Sequence, residues 1–121
     1  MEVVAAADMP PAEPATPGMD RRQAFHDDSA WVGTLRTERG ILTGWHTHPG
    51  FDTYIGVTSG ELTIEFGPGG RQSVTGRPGD VVRIGRGVIH REGTAEGSNG
   101  VEAFLLRVGN GVVVEDAEGP G

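Results

Sequence analysis

The sequence predicts an all-β domain, a small sandwich or barrel, on three observations. Glycine supplies 21 of the 121 residues, far above the usual level of about 7%. It is scattered between short apolar runs, as tight turns between strands require. Leu62, Ile64 and Phe66 alternate with Glu61, Thr63 and Glu65, the period of two of a strand with one wet face. Nothing reads as an amphipathic helix longer than a turn or two, and no apolar run approaches the roughly 20 residues of a membrane-spanning helix.

The elements follow in chain order. Residues 1–19 form an N-terminal arm of their own composition, with Pro10, Pro11, Pro14 and Pro17 set among alanines. Proline fixes the backbone in extended conformations and removes a donor, so this arm is expected to be a mobile tail. Its other reading is an edge strand anchored by Val3 and Val4. Residues 20–115 form the barrel domain. A short helical turn fits Asp20 to Phe25. Strands are then expected over Trp31–Leu35, Ile41–His48, Asp52–Thr58, Leu62–Phe66, Gln72–Thr75, Val81–Ile84, Val88–Glu92, Glu102–Val108 and Val112–Glu115, with Pro49-Gly50, Ser59-Gly60 and the Gly67 to Gly70 run as turns. Residues 116–121 are an acidic, glycine-rich tail expected to fray.

Composition removes whole classes of chemistry. Ten basic against 17 acidic residues give a net charge of −7, which argues against nucleic acid and anionic membranes as partners, since both need a basic face. Cysteine is absent, which excludes disulfides, thiolate metal sites and a cysteine nucleophile. All ten basic residues are arginine, which excludes Schiff-base chemistry and a phosphate-loop lysine. The N-terminus shows neither a basic segment nor a long apolar one, so a cytoplasmic protein is expected. Open sheet edges and the arm leave room for a homodimer.

Three of the four histidines fall in strand-like segments. His46 and His48 are two apart, so on one strand both imidazoles project from the same face. His90 can approach them from a neighbouring strand, and three neutral imidazoles suit iron, zinc, nickel or copper. His26, beside Asp27-Asp28, reads as surface. The stretch from Gly40 to Gly60 is G-x5-H-T-H-x4-T-x6-G, and that from Gly79 to Thr94 is G-x5-G-x-G-x2-H-x3-T.

On these residues the chain resembles the cupin superfamily, whose motifs are G-x5-HxH-x3,4-E-x6-G and G-x5-P-x-G-x2-H-x3-N. Gly40, His46, His48 and Gly60 match the first, and Gly79, Gly87 and His90 match the second. The resemblance implies a small antiparallel β-barrel, a double-stranded β-helix or jelly roll, with one divalent metal ion held inside by the motif histidines. Iron(II) is favoured, with zinc, nickel or manganese as alternatives. Three positions depart from the pattern: Gly85 replaces the proline, Thr94 the asparagine, and Thr53 the glutamate ligand. A threonine hydroxyl is a poor ligand, so the expected carboxylate is missing. Asp52 is its minor substitute if the bend at Pro49-Gly50 relaxes strand parity.

Three neutral ligands would leave an ion its full charge inside a barrel, favouring an anionic or chelating small-molecule substrate. They would also leave coordination positions open, the mark of catalytic rather than structural sites. The expected function is therefore a metal-dependent enzyme, first of all an Fe(II) dioxygenase-type oxidoreductase. A non-redox isomerase or cyclase on zinc or nickel, and a non-catalytic metal- or ligand-binding protein, are the alternatives. Arg83 and Arg107 each interrupt an apolar run and could clamp a substrate carboxylate. Glu92 shares parity with His90 and could accept a proton or orient an imidazole. Leu42 is expected on the histidine face, Ile55 and Val57 beneath it, and Trp45 and Tyr54 on the opposite face.

Overall fold

In a computed structural model of the chain, residues 1–13, 15–110 and 114–121 are described. Pro14 of the arm, and Val112 and Val113 of the last expected strand, lie outside them. Ten strands are described: β1 (Met19–His26), β2 (Ala30–Glu38), β3 (His46–Thr47), β4 (Phe51–Gly60), β5 (Leu62–Phe66), β6 (Gln72–Gly76), β7 (Val81–Ile84), β8 (Arg91–Thr94), β9 (Gly100–Gly109) and β10 (Glu115–Asp116). One sheet runs β1-β2-β9-β4-β7, every neighbour antiparallel. The opposite layer is β6-β5-β8, extended by bridges from Leu42 to Gly93 and His46 to His90, and closed by β3 against β10.

Strand parity puts the core between the layers. Trp31, Leu35 and Thr37 of β2, Phe51, Thr53, Ile55 and Val57 of β4, Leu62 and Ile64 of β5, and Val101, Ala103, Leu105 and Arg107 of β9 are all buried. These are the i, i+2 series expected when one face of a strand is dry. The predicted floor residues Ile55 and Val57 are 1% and 2% exposed.

Three expectations are corrected. Asp20 to Phe25 is not a helical turn but part of β1, because Met19 to His26 finds a full-length partner in β2. Tertiary pairing outweighs the local helix preference of Arg-Arg-Gln-Ala. The strand expected over Ile41 to His48 is interrupted. A register continuous with the His46–His90 bridge would set Leu42 against Thr94, yet it bridges Gly93. This slip turns Leu42 outward, 49% exposed, rather than onto the histidine face. The arm is not a mobile tail: Pro11 bridges Arg22, Gln23 N–H donates to Pro10 O at 2.9 Å, Ala12 N–H to Arg21 O at 2.8 Å, and Arg22 reaches Met9 O and Arg21 the Thr16 hydroxyl. Ala12 packs on the core, whereas Val3 is exposed.

Candidate metal centre

His46 and His90 face each other directly. Each backbone N–H donates to the other's carbonyl at 2.9 Å, the closely spaced pair of an antiparallel ladder, which sends both side chains to the same side. Their ring centroids are 4.4 Å apart. His48, two residues along, brings its ring to 5.1 Å from His46 and 5.3 Å from His90. Glu92, two residues beyond His90 and within β8, faces the same side as His90. Its backbone N–H donates to Thr43 Oγ1 at 3.0 Å. Gly93 permits this approach: a Cβ there would lie 1.9 Å from Ile41 O.

The four side chains form one buried cluster, with a ligand atom from each lying within 4.8 Å of all the others. That is near the roughly 4 Å spanned by opposite ligands of one ion with bonds of about 2.0–2.2 Å. Two backbone carbonyls orient the rings. His46 Nδ1 is 2.8 Å from Gly44 O and His90 Nδ1 is 2.9 Å from Val88 O. A carbonyl only accepts, so each Nδ1 carries a proton; the Nε2 of His90 is left to present its lone pair, while that of His46 faces Glu92 Oε1 at 3.7 Å. His90 Nε2 is fully buried and has no hydrogen-bond partner. A buried acceptor left bare is costly in a finished core. A divalent cation satisfies it, so the residues fit the group that the fold implies, and His46, His48, His90 and Glu92 could hold a metal ion.

The electrostatics are those of a cation site. Burial works against a charge on Glu92, but the His46 ring 3.7 Å away and the fields of His90, His46 and His48 outweigh it and hold the carboxyl at about 2. Burial likewise works against a charge on His46, but the Glu92 oxygen 3.7 Å away and the Gly44 carbonyl prevail and raise its pKa. His90 is lowered by burial, which Glu92 only partly offsets.

The structure thus brings together His46, His48, His90 and Glu92 and leaves Asp52 out. Asp52 points to the outer face, where its carboxylate accepts from the Arg86 backbone N–H at 2.9 Å and pairs with Arg83 and Arg86. That N–H, then the two guanidinium charges, holds its carboxyl below the usual range. Strand alternation was not relaxed at Pro49-Gly50, so Asp52 is no substitute ligand. Arg83 is exposed beside it and does not enter the barrel. Where the family pattern has a glutamate, Thr53 offers none, and Glu92 from the other motif brings a carboxylate to the three imidazoles instead. Parity with His90 is what places Glu92 beside the rings. Thr53 itself is inward, 3% exposed, with its hydroxyl unpartnered.

A cavity of about 390 Å³ opens beside His46 and His48, within the range of small-molecule sites. Arg107 and Arg21 line it, as do Thr43, Thr16 and the carboxylates Glu13 and Asp116. Arg107 lies over the Trp31 ring at 5.1 Å, and Trp31 Nε1–H donates to Gln23 Oε1. Burial, then the charge of Arg21, lowers the Arg107 pKa to about 10, still cationic at neutral pH. Trp45, half-buried on the opposite parity as expected, stacks under Arg91 at 4.6 Å. Neither Arg21 nor the arm's contribution to this wall was anticipated from the sequence.

No family model and no curated protein matches the chain. Solved structures do. A double-stranded β-helix protein from Klebsiella pneumoniae superposes with a TM-score of 0.74 at 17% identity, covering 98% of both chains. The polyketide cyclase RemF from Streptomyces resistomycificus gives 0.77 at 19% identity, over 99% of this chain and 89% of that one. KdgF from Halomonas gives 0.68 at 17%, over 88% and 94%. At these identities the likeness speaks for architecture, and with the two sheets and the convergent histidines in view it is unambiguous: the chain has the double-stranded β-helix fold of the cupins.

Proposed function

We propose that the chain is a metal-dependent enzyme acting on a small molecule, of the Fe(II) dioxygenase type. The observation that carries this is the four-donor cluster beside an open cavity. A carboxylate with imidazoles is the donor chemistry of non-haem iron oxygenases, and the cavity beside His46 and His48 leaves room for a substrate. Bound iron would supply one-electron chemistry toward O2. The protein residues do the rest. His46, His48, His90 and Glu92 would hold the ion, and the Gly44 and Val88 carbonyls keep two of the rings in register. Glu92 replaces half the ion's charge, which favours the higher oxidation state of iron. Ile55, Val57 and Leu62 keep water from the barrel floor.

A non-redox isomerase or cyclase is the second reading. Its specific support is the near full-length likeness to a polyketide cyclase, an argument from fold alone. One experiment separates them. Protein is loaded with iron or with zinc and screened against small oxygen-bearing acids in an oxygen electrode and in an anaerobic chamber. The first reading predicts O2 uptake with iron only. Anaerobic turnover with zinc would establish the second instead, and ligand binding without turnover under either condition would leave a binding protein.

A further inference from the structure

The geometry points to Arg107 as the receptor for a substrate carboxylate, so that the substrate carries two functions: an oxygen for the metal centre and a separate anionic group for the guanidinium. This rests on the reading of the site above and narrows its substrate class.

Arg107 continues the inward series Val101, Ala103, Leu105 of β9, so a charge occupies a position that strand parity assigns to the core. It is only 8% exposed. Among the described residues it has no carboxylate partner: the recorded ion pairs of Glu92 and Asp52 go to His46, Arg83 and Arg86. Glu13 and Asp116, the carboxylates on the same cavity wall, are exposed and make no ion pair with it. Its Nε is buried with no acceptor, and so is the hydroxyl of Thr53, its register neighbour on β4. On the other side it rests on Trp31, its register neighbour on β2. The ring holds the guanidinium flat without neutralising it. A guanidinium removed from water, offset only by the field of Glu92 with which it makes no ion pair, is costly, and its planar fork matches a carboxylate in two parallel hydrogen bonds. The remaining partner is therefore an anion arriving through the cavity, and that cavity is also lined by His46 and His48. One ligand can meet both.

The test reads Arg107 itself. Metal-free protein, labelled with ¹⁵N, is titrated with malonate, and with malonamide as the neutral analogue, while the Arg107 Nε–H resonance is followed; Arg107→Lys supplies its assignment. A saturable shift with malonate and none with malonamide is expected. Malonate affinity should fall about tenfold in Arg107→Lys, which keeps the charge and loses the fork. Loading the wild type with zinc should tighten malonate about tenfold or more, as the second carboxylate reaches the ion. An unmoved resonance, or an equal shift with malonamide, overturns the assignment. A shift whose affinity is indifferent to zinc overturns the two-function substrate. None of these readouts requires turnover, so failure of the enzyme reading would leave them intact and be seen separately.

Discussion

Replacing Glu92 by glutamine tests the centre even before a metal is added. The side chain keeps its shape and loses its charge, so it imitates a protonated Glu92. In the folded chain the three imidazoles hold this carboxyl at about 2, against an ordinary 4.5. At 1.36 kcal/mol per pH unit, that difference corresponds to about 3 kcal/mol of folding stability carried by the ionised form. The sign follows from the proton count. A carboxyl lowered on folding contributes in full above its unfolded pKa, and the contribution is lost as pH falls from about 4.5 towards 2. Metal-free Glu92→Gln should therefore unfold in urea at about pH 5.5, where Glu92 is ionised and His46 still protonated, with up to about 3 kcal/mol less stability than the parent, and the gap should shrink as pH rises through the raised His46 pKa. The gap should narrow steadily below pH 4.5. A variant as stable as the parent at about pH 5.5, or a gap independent of pH, would refute the claim that Glu92 sits ionised among the three rings.

Other outcomes follow from the same geometry. Gly93→Ala places a Cβ 1.9 Å from Ile41 O, so it should push the segment carrying His46 off β8 and lower bound metal per chain together with Tm. Leu62→Ala, at a position with 0% exposure, should cost about 2–5 kcal/mol and about 8–20 °C in Tm by calorimetry. Because His46 is raised by Glu92, metal uptake near neutral pH should release protons, and affinity should weaken on acidification and level off above the folded His46 pKa; calorimetry in buffers of different ionisation enthalpy reads this directly. Asp52→Asn, on the outer face, should leave metal stoichiometry unchanged.

Much of this was legible in the sequence because strand parity is a strong signal where one face is buried. Leu62 and Ile64 declared β5, and the spacing of His46, His48 and His90 declared their convergence. Parity failed where both faces are apolar. On β9, Leu106 and Val108 are as hydrophobic as Leu105, and the outer face carries Phe104 at 62% exposure. Local pattern therefore could not say whether Arg107 points in and Arg83 out. Register decides it, since Arg107 pairs with Trp31 and Thr53 while Arg83 pairs with the outward Tyr54. The slip between Leu42 and His46 was equally hidden, because a bulge depends on the partner strand, here on the space left by Gly93. The role of Glu92 was open for another reason: one spacing serves a proton acceptor, an orienting group or a ligand, and only its placement among the three rings in the fold brings the last into view.

The central claim is that His46, His48, His90 and Glu92 share one ion. Anomalous diffraction from crystals of metal-loaded protein tests it most directly. The account predicts a single peak per chain at about 2.0–2.2 Å from a nitrogen of each imidazole and from a Glu92 oxygen. A peak elsewhere, one lacking Glu92 or any of the three histidines, or none after loading would contradict it.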